Sequence, residues 1–120
     1  MIRHGEIHWV MLDPVRGREQ RGRRPAVVVS ADSINRLPLL VTVVIGTDAL
    51  NIPRDYPSNV RVPARESGLP LDTVFMGFQI RSLDLVRFRD PATGVIAPAG
   101  RLPAPRMQEL EGALRTVLSL

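Results

Sequence analysis

The segment LLVTVVIGT, residues 39–47, is β-branched and almost continuously apolar, and it constrains the fold more than any other part of the chain. A run of this kind packs as a strand covered on both faces rather than as one with a wet side. The chain around it must therefore supply apolar layers above and below a central strand.

The other apolar segments are short and divided by turn residues. EIHWVML, 6–12, alternates, with Ile7, Trp9 and Met11 on one face and His8, Val10 and Leu12 on the other. The Trp9 side is expected to be the buried one. AVVVS, 26–30, reads as a buried strand, and NVRVP, 59–63, as an alternating one. TVFMGFQIRSLD, 73–84, is a further strand, in which Gly77 marks a bulge or a close backbone approach. VRF, 86–88, reads as a last short strand. Polar or Pro-interrupted connections lie between them at 31–38, 48–58, 66–72 and 90–94. Only PRMQELEGALRTVLSL, 105–120, has helical spacing, with Met107, Leu110, Leu114, Val117 and Leu118 on one stripe and Pro105 suited to the first turn. Roughly five to seven strands followed by one amphipathic helix predict a mainly β fold, a small SH3-like partly open barrel with a C-terminal α-helix. At 120 residues, residues 1–120 are expected to form a single domain.

Composition excludes several kinds of chemistry. There is no cysteine, hence no disulfide framework, thiolate metal site or cysteine nucleophile. His4 and His8 are too few to nucleate a zinc site, so metal-independent chemistry without a cofactor is expected. No apolar run approaches the roughly 20 residues that span a bilayer. MIRHGEIHWV lacks the apolar core of a signal peptide. The expected location is the cytoplasm, with no membrane partner.

The formal net charge is +4, and every basic residue is an arginine. Codon bias explains arginine over lysine, but not clustering. Residues 16–25, RGREQRGRRP, hold five arginines and one glutamate, a local excess equal to that of the whole chain. Such a block is the electrostatic footprint of a phosphate binder, and the guanidinium fork matches phosphate oxygens.

Glu19 within the block is either a counter-charge or a base. Flanking arginines lower its pKa, which works against basicity, yet they would also fix a phosphodiester beside it. Arg24 precedes Pro25, which holds it extended at the start of a strand; there it could stabilise charge on a phosphorane or simply anchor a phosphate. Thr47 ends the central strand, where a hydroxyl can project into a groove. Arg18, Arg21 and Arg23 read as phosphate contacts or solvated charges, and Arg16 and Arg81 as weaker versions of the same. Trp9 and Phe75 read as core, whereas Phe78 is divided between core and base stacking.

The order IRHGEIHWVMLDPVRGREQRGRRPAVVVS resembles the N-terminus of MazF/PemK-type toxins. Gly5-Glu6, Asp13-Pro14 and the block Gly17 through Pro25 occupy the family positions, and SINR, the Thr47 strand end, QIRSLD at 79–84 and the terminal helix continue the match. The resemblance implies an SH3-like barrel that dimerises and cleaves single-stranded RNA, often mRNA, at short sequences without metal. In that chemistry the ribose 2′-OH attacks the adjacent phosphorus, leaving a 2′,3′-cyclic phosphate and a 5′-OH. It implies Glu19 as general base, Arg24 as support for the phosphorane and leaving group, and Thr47 as a positioning group. Arg16, Arg18, Gln20, Arg21, Arg23, Phe78 and Arg81 are the candidate RNA contacts. The implied partners are RNA, a second copy of the chain, and an antitoxin whose acidic C-terminal segment covers the groove. One departure stands out: many relatives carry Asp or Glu directly before Gln79, where this chain has Phe78. That bears on any mechanism needing the acid and on which bases are read. Two other readings remain open, a non-enzymatic toxin of the same fold that binds a protein such as DNA gyrase, and an RNA-binding module without turnover.

Overall fold

The computed structural model describes residues 1–13, 17, 22–37 and 39–120. Six strands form one antiparallel sheet: β1 Glu6–Met11, β2 Arg23–Val28, β3 Leu40–Asp48, β4 Asn59–Val62, β5 Thr73–Asp84 and β6 Gly100–Arg101. Their order is β4-β5-β3-β2-β1-β6, so β3 lies inside the sheet, as its apolar sequence requires. The sheet curls without closing, and β4 and β6 remain its edges. Two one-turn helices, α1 Asp32–Asn35 and α2 Ala64–Ser67, sit in connections, and α3 Ala104–Leu118 ends the chain.

Both faces of the sheet are covered. Val10, Leu12, Ala26, Val28, Val43, Ile45, Met76 and Phe88 pack inside the curl. On the other face Ile7, Val27, Val44, Val62 and Phe75 meet Met107, Leu110 and Ala113 of α3. The helical stripe runs one position differently from the expected one: Ala113 is buried, while Leu118 is 47% exposed. Arg106 ties α3 to α2 through two hydrogen bonds to Glu66, 2.9 and 3.1 Å. Hydrogen bonding by Arg106 holds the Glu66 carboxyl below its ordinary value.

The Gly77 expectation is met by a bulge. Between the pairs Val44–Ile80 and Gly46–Phe75, β3 advances two residues while β5 advances five. The Gly77 amide donates to the Ser58 carbonyl at 2.7 Å, and a Cβ here would stand 2.6 Å from that oxygen.

Two expectations need correction. Leu85–Phe88 is a 3-10 turn, not a strand, because the Asp84 carboxylate accepts from the Val86 amide and turns the chain. On β1 the deeper face is that of His8, Val10 and Leu12, not that of Trp9, which is only half-buried. His8 is 1% exposed; its Nε2 lies 3.1 Å from Glu6 Oε1 and its ring stands edge-on to Phe88. Burial pushes the Glu6 carboxyl up, but the Arg3 amide and the His8 ring outweigh it and hold it below the ordinary carboxylate range.

Candidate functional site

The arginine block joins β1 to β2, and its root is fixed from both strands. The Leu12 amide donates to the Gly22 carbonyl at 2.9 Å, and the Gly22 amide donates to Asp13 Oδ1 at 3.0 Å. From the 3-10 turn, Arg87 donates to the Met11 carbonyl at 3.2 Å and also to the Asp13 carbonyl. The root therefore has a defined position, set partly by a residue far away in sequence. Glu19, Arg16, Arg18, Gln20 and Arg21 lie outside the described residues.

Beyond the root, β2 pairs with β1 so that Arg23, Arg24 and Pro25 stand opposite Met11, Val10 and Trp9. Arg24 is within a strand and half-buried, as Pro25 led us to expect, while Arg23 is exposed. The Arg23 guanidinium lies 5.9 Å from the Trp9 ring centroid, a cation–π distance, and 3.5 Å from Asp90 Oδ2. The Ala92 and Thr93 amides, then Arg23, hold the Asp90 carboxyl below its ordinary value, so it remains an anion that orients Arg23.

Trp9 and Arg23 stand between two cavities. One, of about 320 Å³, is bounded by Trp9, Arg23 and Arg24 on one side, by Asp48 and Asn51 after β3, and by Leu69–Leu71 before β5. The other, of about 190 Å³, lies towards Asp90, Thr93 and Val95. A separate cavity of about 360 Å³ near His8, Asn35 and Leu85 takes in none of the block's described arginines. Volume alone thus does not single out a site; the arginines do.

Thr47 does not itself line the 320 Å³ cavity but bonds to Asn51, which does. It is 3% exposed, and its hydroxyl oxygen accepts from Asn51 Nδ2 at 3.1 Å. The segment that follows is braced: Asp48 accepts from the Leu50 amide, and Arg61 donates to the Ala49 and Ile52 carbonyls. The structure thus brings Arg23 and Arg24 to one hollow, and Thr47 is tied to it only through Asn51. It does not bring Phe78 or Arg81 there. Phe78 stands on the β5 bulge, 55% exposed, and Arg81 lies opposite Val43 in mid-strand. Trp9, expected in the core, and Asn51, not singled out in the sequence, also line this hollow. The Trp9 signal lay in the hairpin register with Pro25, and nothing in DALN distinguishes Asn51. Among the described residues no cluster of three or more His, Cys, Asp or Glu could hold a metal, and no helix is long and apolar enough to cross a membrane.

Residues 3–118 match the family described as PemK-like, MazF-like toxin of type II toxin-antitoxin system. The chain belongs to this family. It is 38% identical over 125 aligned positions to Endoribonuclease MazF9 of Mycobacterium tuberculosis, spanning 100% of this chain and 98% of that one. With Endoribonuclease MazF of Staphylococcus epidermidis it shares 33% identity over 120 positions, 100% of this chain and 93% of the other. The crystal structure of MazF (Form-I) from Deinococcus radiodurans superposes with a TM-score of 0.77 at 27% identity, covering 99% and 97% of the two chains. A mycobacterial endoribonuclease solved with its cognate antitoxin has the same fold, TM-score 0.76 at 22% identity, covering 100% and 97%. The sequence-level resemblance to MazF/PemK-type toxins and the expected mainly β barrel with a terminal helix are therefore both borne out.

Proposed function

We propose that this MazF/PemK-family chain is a metal-independent endoribonuclease that cuts single-stranded RNA, with mRNA as its substrate class. It acts in the cytoplasm as a homodimer and is silenced by an antitoxin whose acidic segment occupies the arginine-lined groove. The observation that carries this reading is the hollow joining Arg23 and Arg24 of the arginine block to the Thr47–Asn51 segment. Cations on one wall and braced polar groups on the other suit a bent phosphodiester. Glu19 is assigned as general base and takes the proton of the ribose 2′-OH. The O2′–P bond forms as the P–O5′ bond breaks, the 5′ oxygen leaves and takes a proton from solvent water, and Glu19 returns its proton to solvent. The products are a 2′,3′-cyclic phosphate and a 5′-OH, with no water consumed. Arg24 is assigned to the charge that builds on the phosphorane. The always-protonated guanidinium suits stabilisation rather than proton donation. Thr47 positions the phosphate through the hydroxyl that Asn51 holds. Arg16, Arg18, Gln20, Arg21 and Arg23 are assigned to the RNA backbone, and Phe78 and Arg81 to flanking nucleotides.

The test is cleavage of a defined single-stranded RNA by the purified chain in EDTA. Wild type is expected to cut, and Glu19→Ala and Arg24→Ala are each expected to lose at least about a hundredfold in rate. Intact RNA with wild type, or wild-type rates from both variants, would overturn the reading. In poisoned cells, gyrase-dependent DNA breaks with intact mRNA would favour the non-enzymatic alternative instead.

A further inference from the structure

We propose that Asn51 is a base-reading residue and that the 320 Å³ hollow it lines holds one nucleobase; this inference rests on the endoribonuclease reading above. The hollow has two kinds of wall. Trp9, Leu69 and Leu71 line it, and apolar and aromatic surfaces of this kind hold the flat ring of an unstacked base. Arg23 and Arg24 bring cations to the same space, where the phosphates on either side of that base would lie. A polar edge then decides which base is accepted, and Asn51 presents it.

The Asn51 amide is exposed yet held in place. One Nδ2 hydrogen is committed to Thr47 Oγ1, and Thr47 is buried within the β3–β5 ladder. The next residue, Ile52, is gripped through its carbonyl by Arg61. Oδ1 and the second Nδ2 hydrogen have no partner among the described residues, and the side chain borders the hollow. An amide so placed offers an acceptor and a donor side by side, the complement of the N6–H and N7 edge of adenine. Its neighbour Asp48 is less suited, because a carboxylate accepts but has no hydrogen to donate to N7. A fixed amide also rejects mismatched bases, since a wrong base seated in the hollow would cover the amide and leave its polar groups unpaired.

A purely structural role through Thr47 would slow every cleavage event alike, whereas a reader changes which sequences are cut. The test is a randomised single-stranded RNA pool digested by wild type, Asn51→Ala and Asn51→Asp, with the 5′-OH ends sequenced and each protein's thermal melt recorded. Wild type is expected to enrich adenine at one position next to the cut. Asn51→Ala should cut more slowly and lose about tenfold of that enrichment while preferences elsewhere persist. Asn51→Asp, which replaces the donor with an acceptor, should shift the position toward cytosine through its N4 amino group. An unchanged pattern in Asn51→Ala, or a uniform loss at every site, overturns the inference while leaving the endoribonuclease reading intact. A wild type that cuts without base preference also overturns it. A wild type that leaves the pool uncut overturns the endoribonuclease reading, and this inference falls with it.

Discussion

Replacing Arg87 with methionine removes the guanidinium that grips the root of the arginine loop and keeps an unbranched stem of similar reach. Two hydrogen bonds are lost, to the Met11 and Asp13 carbonyls. Each is worth about 0.5–1.5 kcal/mol net. Both carbonyls are close to solvent, so water replaces part of what is lost and the stability cost should be about 1–2 kcal/mol. An unfolding entropy of roughly 2.1 cal/mol/K per residue gives about 0.25 kcal/mol/K for a chain of this length. The melting temperature should therefore fall by about 4–8 °C. The effect on cleavage should be larger. The root anchors both ends of the segment in which Glu19, the proposed base, lies, and a shift of about 1 Å in a reacting group can cost about a hundredfold in rate. We expect Arg87→Met to cut single-stranded RNA about 10- to 100-fold more slowly at 25 °C, under single-turnover conditions where the protein is still folded. Cleavage within twofold of wild type, alongside the expected melting shift, would refute the idea that this clamp positions the loop.

Two further predictions concern the fold. Leu110 is fully buried between α3 and the sheet, so Leu110→Ala should cost about 2–5 kcal/mol and lower the melting temperature by about 8–20 °C; a loss under 1 kcal/mol would mean that α3 is not integral to the core. Glu6, Asp32, Glu66 and Asp90 all have carboxyls held below their ordinary values. Such groups stabilise the fold above their unfolded pKa of about 4 and lose that contribution as pH falls through the folded value. The melting temperature should stay nearly flat from pH 7 to about pH 5 and drop below about pH 4, with Glu66→Gln flattening part of the drop; a melting temperature that rises on acidification would contradict the assignment.

The elements whose pattern is local were legible in the sequence. The β-branched run became β3, the 3.6-residue stripe became α3, and Gly77 sits where β5 bulges. The 3-10 turn at Leu85–Phe88 was hidden because a single carboxylate cap on Asp84 outweighs the strand propensity of Val86 and Phe88. Alternation in β1 revealed two faces but could not rank them, since both faces of this sheet are covered. The interior position of His8 depends on Glu6 and Phe88 as partners, and propensity does not encode a partner. The arginine block and Arg24 stood out by charge and by Pro25. Asn51, Arg61 and Arg87 did not, because each matters only through a carbonyl or hydroxyl that folding brings to it from elsewhere in the chain.

In the proposed mechanism the ribose 2′-OH is the nucleophile. The most direct measurement compares an RNA that the chain cuts with the same RNA carrying one 2′-deoxy nucleotide immediately 5′ to the scissile phosphate, both in EDTA. The proposed mechanism predicts 2′,3′-cyclic phosphate and 5′-OH ends from the first, with cleavage at that bond abolished in the second. Comparable cleavage of both RNAs, or ends bearing a 5′-phosphate, would contradict it.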